Sequence, residues 1–250
     1  YNAFTLSQKN MWNYGGTPFS NNASLRWQSM TMNRYEWDVK ETFAWNWLDS
    51  RLLRGGPDVR FGSYFLTSAK FNTDKAKRMM FMLKYEGDHN FEGNRFNTIS
   101  PSLTFRLGNH VYLSGQLDYA WNTDEMQYVA TTSPLSSSSL TPYYYVMGHM
   151  DQKTYGLTLK LQVNVTPDIS IQFYGAPFTS IAKYDDFKLA ADTKSHTFEN
   201  RFQRIDPDHL TYADGVYTIG EGAGQMPFRN PDFRFNEFRS NLVARWEYLP

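Results

Sequence analysis

Hydrophobic and polar residues alternate one for one along much of this chain. Between residues 110 and 121, Val111, Leu113, Gly115, Leu117, Tyr119 and Trp121 share one parity. His110, Tyr112, Ser114, Gln116, Asp118 and Ala120 share the other. A period of two over this length belongs to a strand with two unlike faces, not to a helix. Residues 102–107 alternate in the same way, and Gly108-Asn109 predicts a tight turn between the two runs. Further along, Leu159, Leu161 and Val163 oppose Lys160, Gln162 and Asn164. After Thr166-Pro167-Asp168, Ile169, Ile171 and Phe173 oppose Ser170, Gln172 and Tyr174. That is a hairpin with almost no loop. Residues 35–47 set Tyr35, Trp37, Val39, Phe43, Trp45 and Trp47 against Glu36, Asp38, Lys40, Thr42, Ala44 and Asn46. Residues 1–10, 61–71, 79–85 and 241–248 also read as strand, and no stretch of useful length has a 3.6-residue period.

The connections between these runs alternate in length. Short ones fall near Asn33, at 73–75, at 108–109 and at 167–168. Longer ones cover 15–22, 49–59, 87–95, 130–142 and about 184–231. Tight turns at one end and long loops at the other are the plan of a bacterial outer-membrane barrel. The runs also approach the roughly 9–11 residues that a tilted strand needs to cross a bilayer. Rings gather toward strand ends, at Tyr35, Trp37, Trp45, Trp47, Tyr119, Trp121, Trp246 and Tyr248, as in the aromatic girdles of membrane interfaces. The expected fold is therefore all-β: a fragment, of about ten or more strands, of a larger antiparallel up-and-down transmembrane β-barrel. Residues 1–250 would form part of this single domain, with a long extracellular loop at about 184–231. Leu159, Leu161 and Val163 would face lipid, and Lys160, Gln162 and Asn164 a hydrated lumen. Glu41 shares the aromatic parity and requires either a bulge or a partner. A soluble antiparallel barrel or sandwich has the same alternation, with its apolar face packed on itself.

Composition narrows the choice. Twenty-five acidic and 25 basic residues balance to zero charge, so no nucleic-acid footprint is present. Mean hydropathy is −0.59, and no run approaches the roughly 18 apolar residues that a spanning helix needs; that excludes a helical membrane protein but not a barrel, whose alternating strands average out as polar. Aromatics reach 17%, consistent with girdles. The absence of cysteine removes disulfides, thiolate catalysis and thiolate metal sites. The first ten residues lack the basic start and apolar run of a signal peptide and already read as strand, so a piece of something longer is expected.

Specific stretches carry a family resemblance. They are "LLRGGP" at 52–57, "FNTD" with its basic cluster at 71–78, "ISPSL" at 99–103, "TPDISIQFYGAPF" at 166–178, "YDDFK" at 184–188, "NPDFRF" at 230–235 and "RSNLVARWEYLP" at 239–250. In this order they resemble the Bacteroidota outer-membrane β-barrel domain of unknown function that follows a carbohydrate-binding-module family-nine-like domain. The resemblance implies a companion binding module and transfers no catalytic residue. The cluster Lys75-Ala76-Lys77-Arg78 is looser than that family's usual turn.

Chemistry is sparse. His89, His110, His149, His196 and His209 show neither H-x-x-x-H nor H-E-x-x-H spacing. His149 with Asp151, and Asp206 and Asp208 with His209, are the Asp/His combinations a hydrolase at a barrel mouth would use. Asp185, Asp186, Asp192, Asp206, Asp208 and Asp214 lack calcium-loop spacing. "GEGAG" at 220–224 follows no strand-to-helix unit, so it is not read as a phosphate loop. The run 133–140 is a low-complexity external loop. Asp214-Gly215 predicts a hairpin flap within the longest loop. In that loop Phe198, Phe202, His209, Tyr212 and Tyr217 are the candidate ligand-binding residues, by stacking on sugars or by packing the loop onto the mouth. The inferred lumen face carries both signs, including Arg26, Asp38, Lys84 and Glu86, which fits ion pairs, a plug or a weakly selective channel. The functional expectation is an outer-membrane protein that binds or passes an extracellular, glycan-related ligand. Its partners would be membrane lipid and a surface glycan, with no cofactor, catalytic residue or metal called. The alternatives are a hydrolase with a site at the mouth, a scaffold barrel in a multi-protein surface complex, and a soluble sugar-binding β-domain.

Overall fold

A computed structural model describes residues 1–16, 18–45, 47–108, 110–135 and 143–248. Asn46, Asn109 of the expected 108–109 turn, the serines at 136–139 with Leu140, and the closing Leu249 and Pro250 lie outside the described residues. The strands are β1 (Asn2–Trp12), β2 (Pro18–Met30), β3 (Glu36–Trp45), β4 (Trp47–Asp49), β5 (Val59–Phe61), β6 (Tyr64–Asn72), β7 (Met79–Asn90), β8 (Arg95–Leu107), β9 (Val111–Thr132), β10 (Tyr144–Thr166) and β11 (Ile169–Ala190). They are followed by β12 (Phe202–Arg204), β13 (Leu210–Ala213), β14 (Val216–Ile219), β15 (Met226–Arg229) and β16 (Phe233–Trp246). The one α-helix described, α1 (Phe198–Arg201), is a single turn.

One large antiparallel sheet organises the molecule, in the order β1-β2-β3-β6-β7-β8-β9-β10-β11, with β16 alongside β11 and β12 on the far end of β11. β1 and β16 are its edges and do not pair with each other, so the structure shows an open sheet and no closed barrel. The sequence reading expects a fragment of a larger barrel, and among the described residues the sheet closes no ring. The ladder needs a neighbour on each side of every strand, and neither edge has one here.

Register lines the sequence parities up into two continuous faces. Trp37 pairs with Ser29 and Phe71, and Val39 with Trp27 and Ala69. Leu161 pairs with Leu113 and Phe173, and Phe173 with Leu242. Cross-strand partners share a face, so Phe4, Leu6, Trp27, Leu25, Trp37, Phe43, Phe81, Leu103, Leu113, Leu117, Leu159, Ile171 and Leu242 form one apolar surface. Many of these residues stay open, such as Leu6 at 80%, Leu117 at 56% and Leu242 at 69%. The opposite face holds Ser24, Thr42, Ala44, Ser100, Thr104, Ser180 and Ala182. These small side chains are each buried by their neighbours. Side chains converge on the hollow side of a curved sheet and splay on the other. We therefore call the polar face inner and the apolar face outer.

Glu41 keeps the aromatic parity without a bulge, because β3 runs in regular register through it. Its carboxylate accepts a hydrogen bond from Thr67 Oγ1 at 2.6 Å, which supplies the partner. On the inner face Arg26 Nε donates to Asp38 Oδ1 at 2.7 Å, Lys84 meets Glu86 at 2.8 Å, and Asp118 accepts from Ser100 and Gln116. Arg26 with Asp38 and Lys84 with Glu86 are thus ion pairs between close neighbours, and Asp118 is held by neutral donors.

Connections alternate between the two ends, but fewer are long than the sequence indicates. The expected loops at 15–22 and 87–95 shrink to 13–17 and 91–94, because β2 and β7 extend into them. β9, β10 and β11 have 22, 23 and 22 residues and stand well beyond their neighbours at the long-loop end. The longest loop accordingly starts after Ala190 rather than near Tyr184. At the opposite end Pro167 and Asp168 form the whole β10–β11 loop, with a register irregularity between Asn164 and Thr166. Proline cannot adopt the positive φ of the favoured two-residue turns, and the irregularity absorbs the resulting mismatch. Asp214 (φ 51°) and Gly215 (φ 79°) do adopt it, closing the expected flap hairpin. β15 adds a third strand to that flap.

The dry core lies in the extension of β9–β11, not between layers of the main sheet. On one side of it Leu53, Val59, Met126, Met147 and Phe202 cluster. On the other, Val146, Phe187 and Leu189 meet Ile219 and Phe228 of the flap. Val146 and Met147 are adjacent on β10, so the two clusters occupy its opposite faces. Met147→Ala should lower unfolding stability by about 2–5 kcal/mol, whereas Leu117→Ala on the open outer face should cost far less in water. Equilibrium denaturation of both variants reads the contrast.

Candidate functional site

The loops above the inner face are drawn together by a buried arginine. Arg201 is 1% exposed, and all five of its N–H groups are used. Nε donates to Ser195 O, Nη1 to Arg60 O and Glu92 Oε2, and Nη2 to Glu92 Oε1 and His196 O, at 2.7–3.2 Å. Glu92 also accepts from Gly62 N at 2.9 Å. Three connections that are distant in sequence, β3–β6, β7–β8 and β11–β16, thus share one bidentate ion pair. Thr193 Oγ1 to Asp58 O (2.7 Å) and Arg60 Nε to Lys194 O (2.9 Å) reinforce the contact. Beside it Lys188, 2% exposed, meets Asp186 at 3.2 Å and lies 5.7 and 5.8 Å from the rings of Phe198 and Phe202. Together these contacts build a cap across the long-loop end of the inner face.

At the cap lies a cavity of about 350 Å³. Two adjacent rungs of the sheet form its wall. In one, Leu66, Asp88, Phe96 and Asn122 are successive cross-strand partners. In the next, Tyr64 pairs with Asn90, and Asp124 stands two residues beyond Asn122 on the same face. Trp47 and Phe61, paired in the small β4–β5 sheet, close another side, and Trp47 meets Tyr64 edge-on at 5.7 Å. Asn90 Oδ1 accepts from Glu92 N and Asn94 N, and Asn94 Oδ1 accepts from Glu125 N. Both carbonyl oxygens are thereby fixed, and the amino groups have no hydrogen-bond partner among the described residues. Burial pushes the Asp124 carboxyl above the usual range, against the opposing Met126 N–H bond.

Trp47 is therefore not on the outer ring with Trp45. Its strand leaves the main sheet after Trp45, which breaks the parity that placed it there. Tyr35, Trp37 and Phe71 form one ring cluster at the short-turn end, where Trp246 and Tyr248 also lie 5.9 Å apart. Trp45 stacks with Phe43, and Tyr119 with Trp121 and Tyr155, toward the other end.

The loop candidates fall into separate groups. Phe198 and Phe202 pack together at 5.2 Å within the cap, and Tyr212 and Tyr217 at 4.6 Å in the flap on the opposite face. His209 is exposed, 4.0 Å from Asp206. His110 sits 3.4 Å from Asn164 O. His149 lies in a break of register shared by β9, β10 and β11, with Nδ1 3.1 Å from Glu125 and Nε2 3.6 Å from Asp151. Burial opposes charge on His149, but the Glu125 hydrogen bond and the charges of Glu125, Asp185 and Asp151 outweigh it and raise its pKa. Among the described residues no three acidic or histidine side chains converge as metal ligands. Sequence reading missed Asp88, Asn90, Asn122 and Asp124 as a group. The signal was the inner-face parity of Asp118 continuing past Trp121 into Asn122 and Asp124. Nothing local marks Arg201 and Glu92, which meet across 109 residues.

These features define an all-β protein with a large two-faced antiparallel sheet and a loop cap over one end of its polar face. Residues 2–250 match the family model described as a domain of unknown function (DUF5916), and the chain belongs to that family. Comparison with curated proteins finds no match, and comparison with solved structures finds none.

Arg201→Ala should leave the largely buried Glu92 without a charge partner, with only Gly62 N still donating to it, at a cost of about 3–5 kcal/mol to the cap. Proteolysis should then open the 191–201 segment first, while Arg201→Met with Glu92→Leu recovers much of the resistance. His149 supplies a pH test. Its folded pKa is raised, so its contribution is full below about pH 6.5, the unfolded value, and fades as pH rises through the higher folded one. The melting difference between the native chain and His149→Gln should therefore be largest in mild acid and shrink toward alkaline pH.

Proposed function

We propose that this chain is part of an outer-membrane β-barrel of a Bacteroidota bacterium, and that its capped mouth binds an extracellular, glycan-related ligand. The observation that carries the reading is the outer face. Ten long strands (β1–β3, β6–β11 and β16) present aromatic and aliphatic side chains outward, and among the described residues no second layer packs over them apart from the flap on the β9–β11 extension. Left in water, each large apolar side chain forfeits roughly 1.5–3 kcal/mol, tens of kcal/mol over the face. A soluble monomer rarely exposes a contiguous patch of this extent. Trp37 and Trp45 bracket the apolar stretch of β3, eight residues apart, which is roughly 26 Å along a strand. That suits a tilted strand crossing the apolar slab of a bilayer. The inner face, with its paired charges and hydroxyls, suits water.

The cap favours binding over open passage, because it spans the inner face where a channel would need clearance. The glycan class and the companion module come from the family resemblance, and the cavity wall of rings, amides and carboxylates is compatible with them.

The test is behaviour in lipid. The protein should need detergent to stay monodisperse and should fold into vesicles. The double variant Leu113→Arg with Leu159→Arg should lose about 2–4 kcal/mol per site of membrane folding stability. Lys160→Ala and Gln162→Ala should be near neutral. A monodisperse folded monomer without detergent would refute the proposal.

A further inference from the structure

We infer that the cavity at the cap is a sugar-binding site, and that it selects neutral over acidic sugars. The inference rests on the reading of the mouth as a binding site and specifies the chemistry. Three observations combine. First, the cavity has aromatic walls on different elements, Trp47 from β4, Tyr64 from β6 and Phe96 from β8. Ring faces take the C–H face of a pyranose as they take any flat apolar surface, without requiring charge. Second, the polar groups are mixed in kind. The amino groups of Asn90 and Asn94 are donors, because their carbonyls are already committed to backbone N–H groups. Asp88 is half-buried on the same wall, and its carboxylate has no hydrogen-bond partner among the described residues. A hydroxyl both gives and receives, so a row of hydroxyls satisfies both sets. An organic ammonium would serve the acceptors only and leave the amides and Arg95 facing a cation. Third, Asp49, Asp88 and Asp124 outnumber Arg95 in the lining, which works against a uronic or sulfated sugar by like-charge repulsion.

The site is also held in place. Its wall is ladder-paired strand, and Glu92, two residues from Asn90, is locked by Arg201. Preorganised donors of this sort lose little freedom on binding.

The experiment uses the protein in detergent micelles. It is applied to an array of neutral oligosaccharides, with polygalacturonate and tetramethylammonium as comparators, and the best neutral binder is followed by titration calorimetry. Neutral binding should appear and should weaken at least about tenfold in Trp47→Ala. It should also weaken in Asp88→Asn, be largely kept in Trp47→Phe, and be unchanged in Tyr212→Ala on the flap. Protease resistance of the cap confirms that each variant is folded. Three outcomes overturn the inference: no neutral sugar binds, binding ignores both Trp47→Ala and Asp88→Asn, or either comparator binds in preference. A comparator that binds in preference and weakens in Trp47→Ala overturns the sugar choice and leaves the mouth a binding site; no binding by sugar or comparator overturns both, and the detergent requirement, which tests the membrane reading, is untouched in each case.

Discussion

Backbone pairing between strands is the constraint on which everything else depends. A strand whose side chains face an apolar medium cannot leave N–H and C=O groups open to it, since each unpaired group costs several kcal/mol. The ladder from β1 across to β16 satisfies these groups row after row. Once pairing is fixed, side-chain parity is fixed with it, and each face takes on one character. A slip of one residue in any register would place Lys160 among Leu113 and Phe173 and move Leu161 to the wet side. The turns therefore serve the faces. Pro167-Asp168 is short because there is no slack in register to give away.

Among the described residues the main sheet has no conventional core, and order at the long-loop end comes from elsewhere. β9, β10 and β11 outgrow their neighbours and are covered on both sides, by the cap and by the flap. Burial there is complete for Met126, Val146 and Met147. The cap adds a polar tie, Arg201 with Glu92, whose desolvation is offset only because every donor finds an acceptor. This division leaves the apolar face of the main sheet uncovered while the long-loop end keeps a defined shape. The cavity lies beside the cap, with one wall on ladder-paired strands and another closed by Trp47 and Phe61 of the β4–β5 pair.

How much of this was legible in the sequence follows the same division. Strand identity and face were plain wherever a strand has two unlike faces, as in 110–121 and 159–174. Strict alternation is a local property and needs no tertiary information. It faded above the belt, where outward residues turn polar. Residues 87–90 and 130–132 therefore read as loop although they are strand. Trp47 was misplaced for a related reason, since parity counts through a break that only the fold reveals. The cap was illegible. Arg201 and Glu92 carry no motif, and their meeting depends on loops whose paths the alternation does not specify. Glu41 was read as an anomaly and resolves into a cross-strand bond to Thr67. The cavity stood half in view, because Asn122 and Asp124 keep the parity of Asp118, while Trp47 arrives from outside that pattern.

The central claim is that the apolar side of this sheet touches acyl chains and the polar side touches water. Spin labels placed singly at Leu117, Leu159 and Leu242, and at Gln116, Lys160 and Asn241, in protein folded into vesicles test it most directly. The account predicts that the first three are relaxed by oxygen dissolved in the bilayer and shielded from a water-soluble nickel chelate, with the opposite order for the second three. Chelate access to Leu117 and Leu159, together with oxygen access to Lys160, would contradict it.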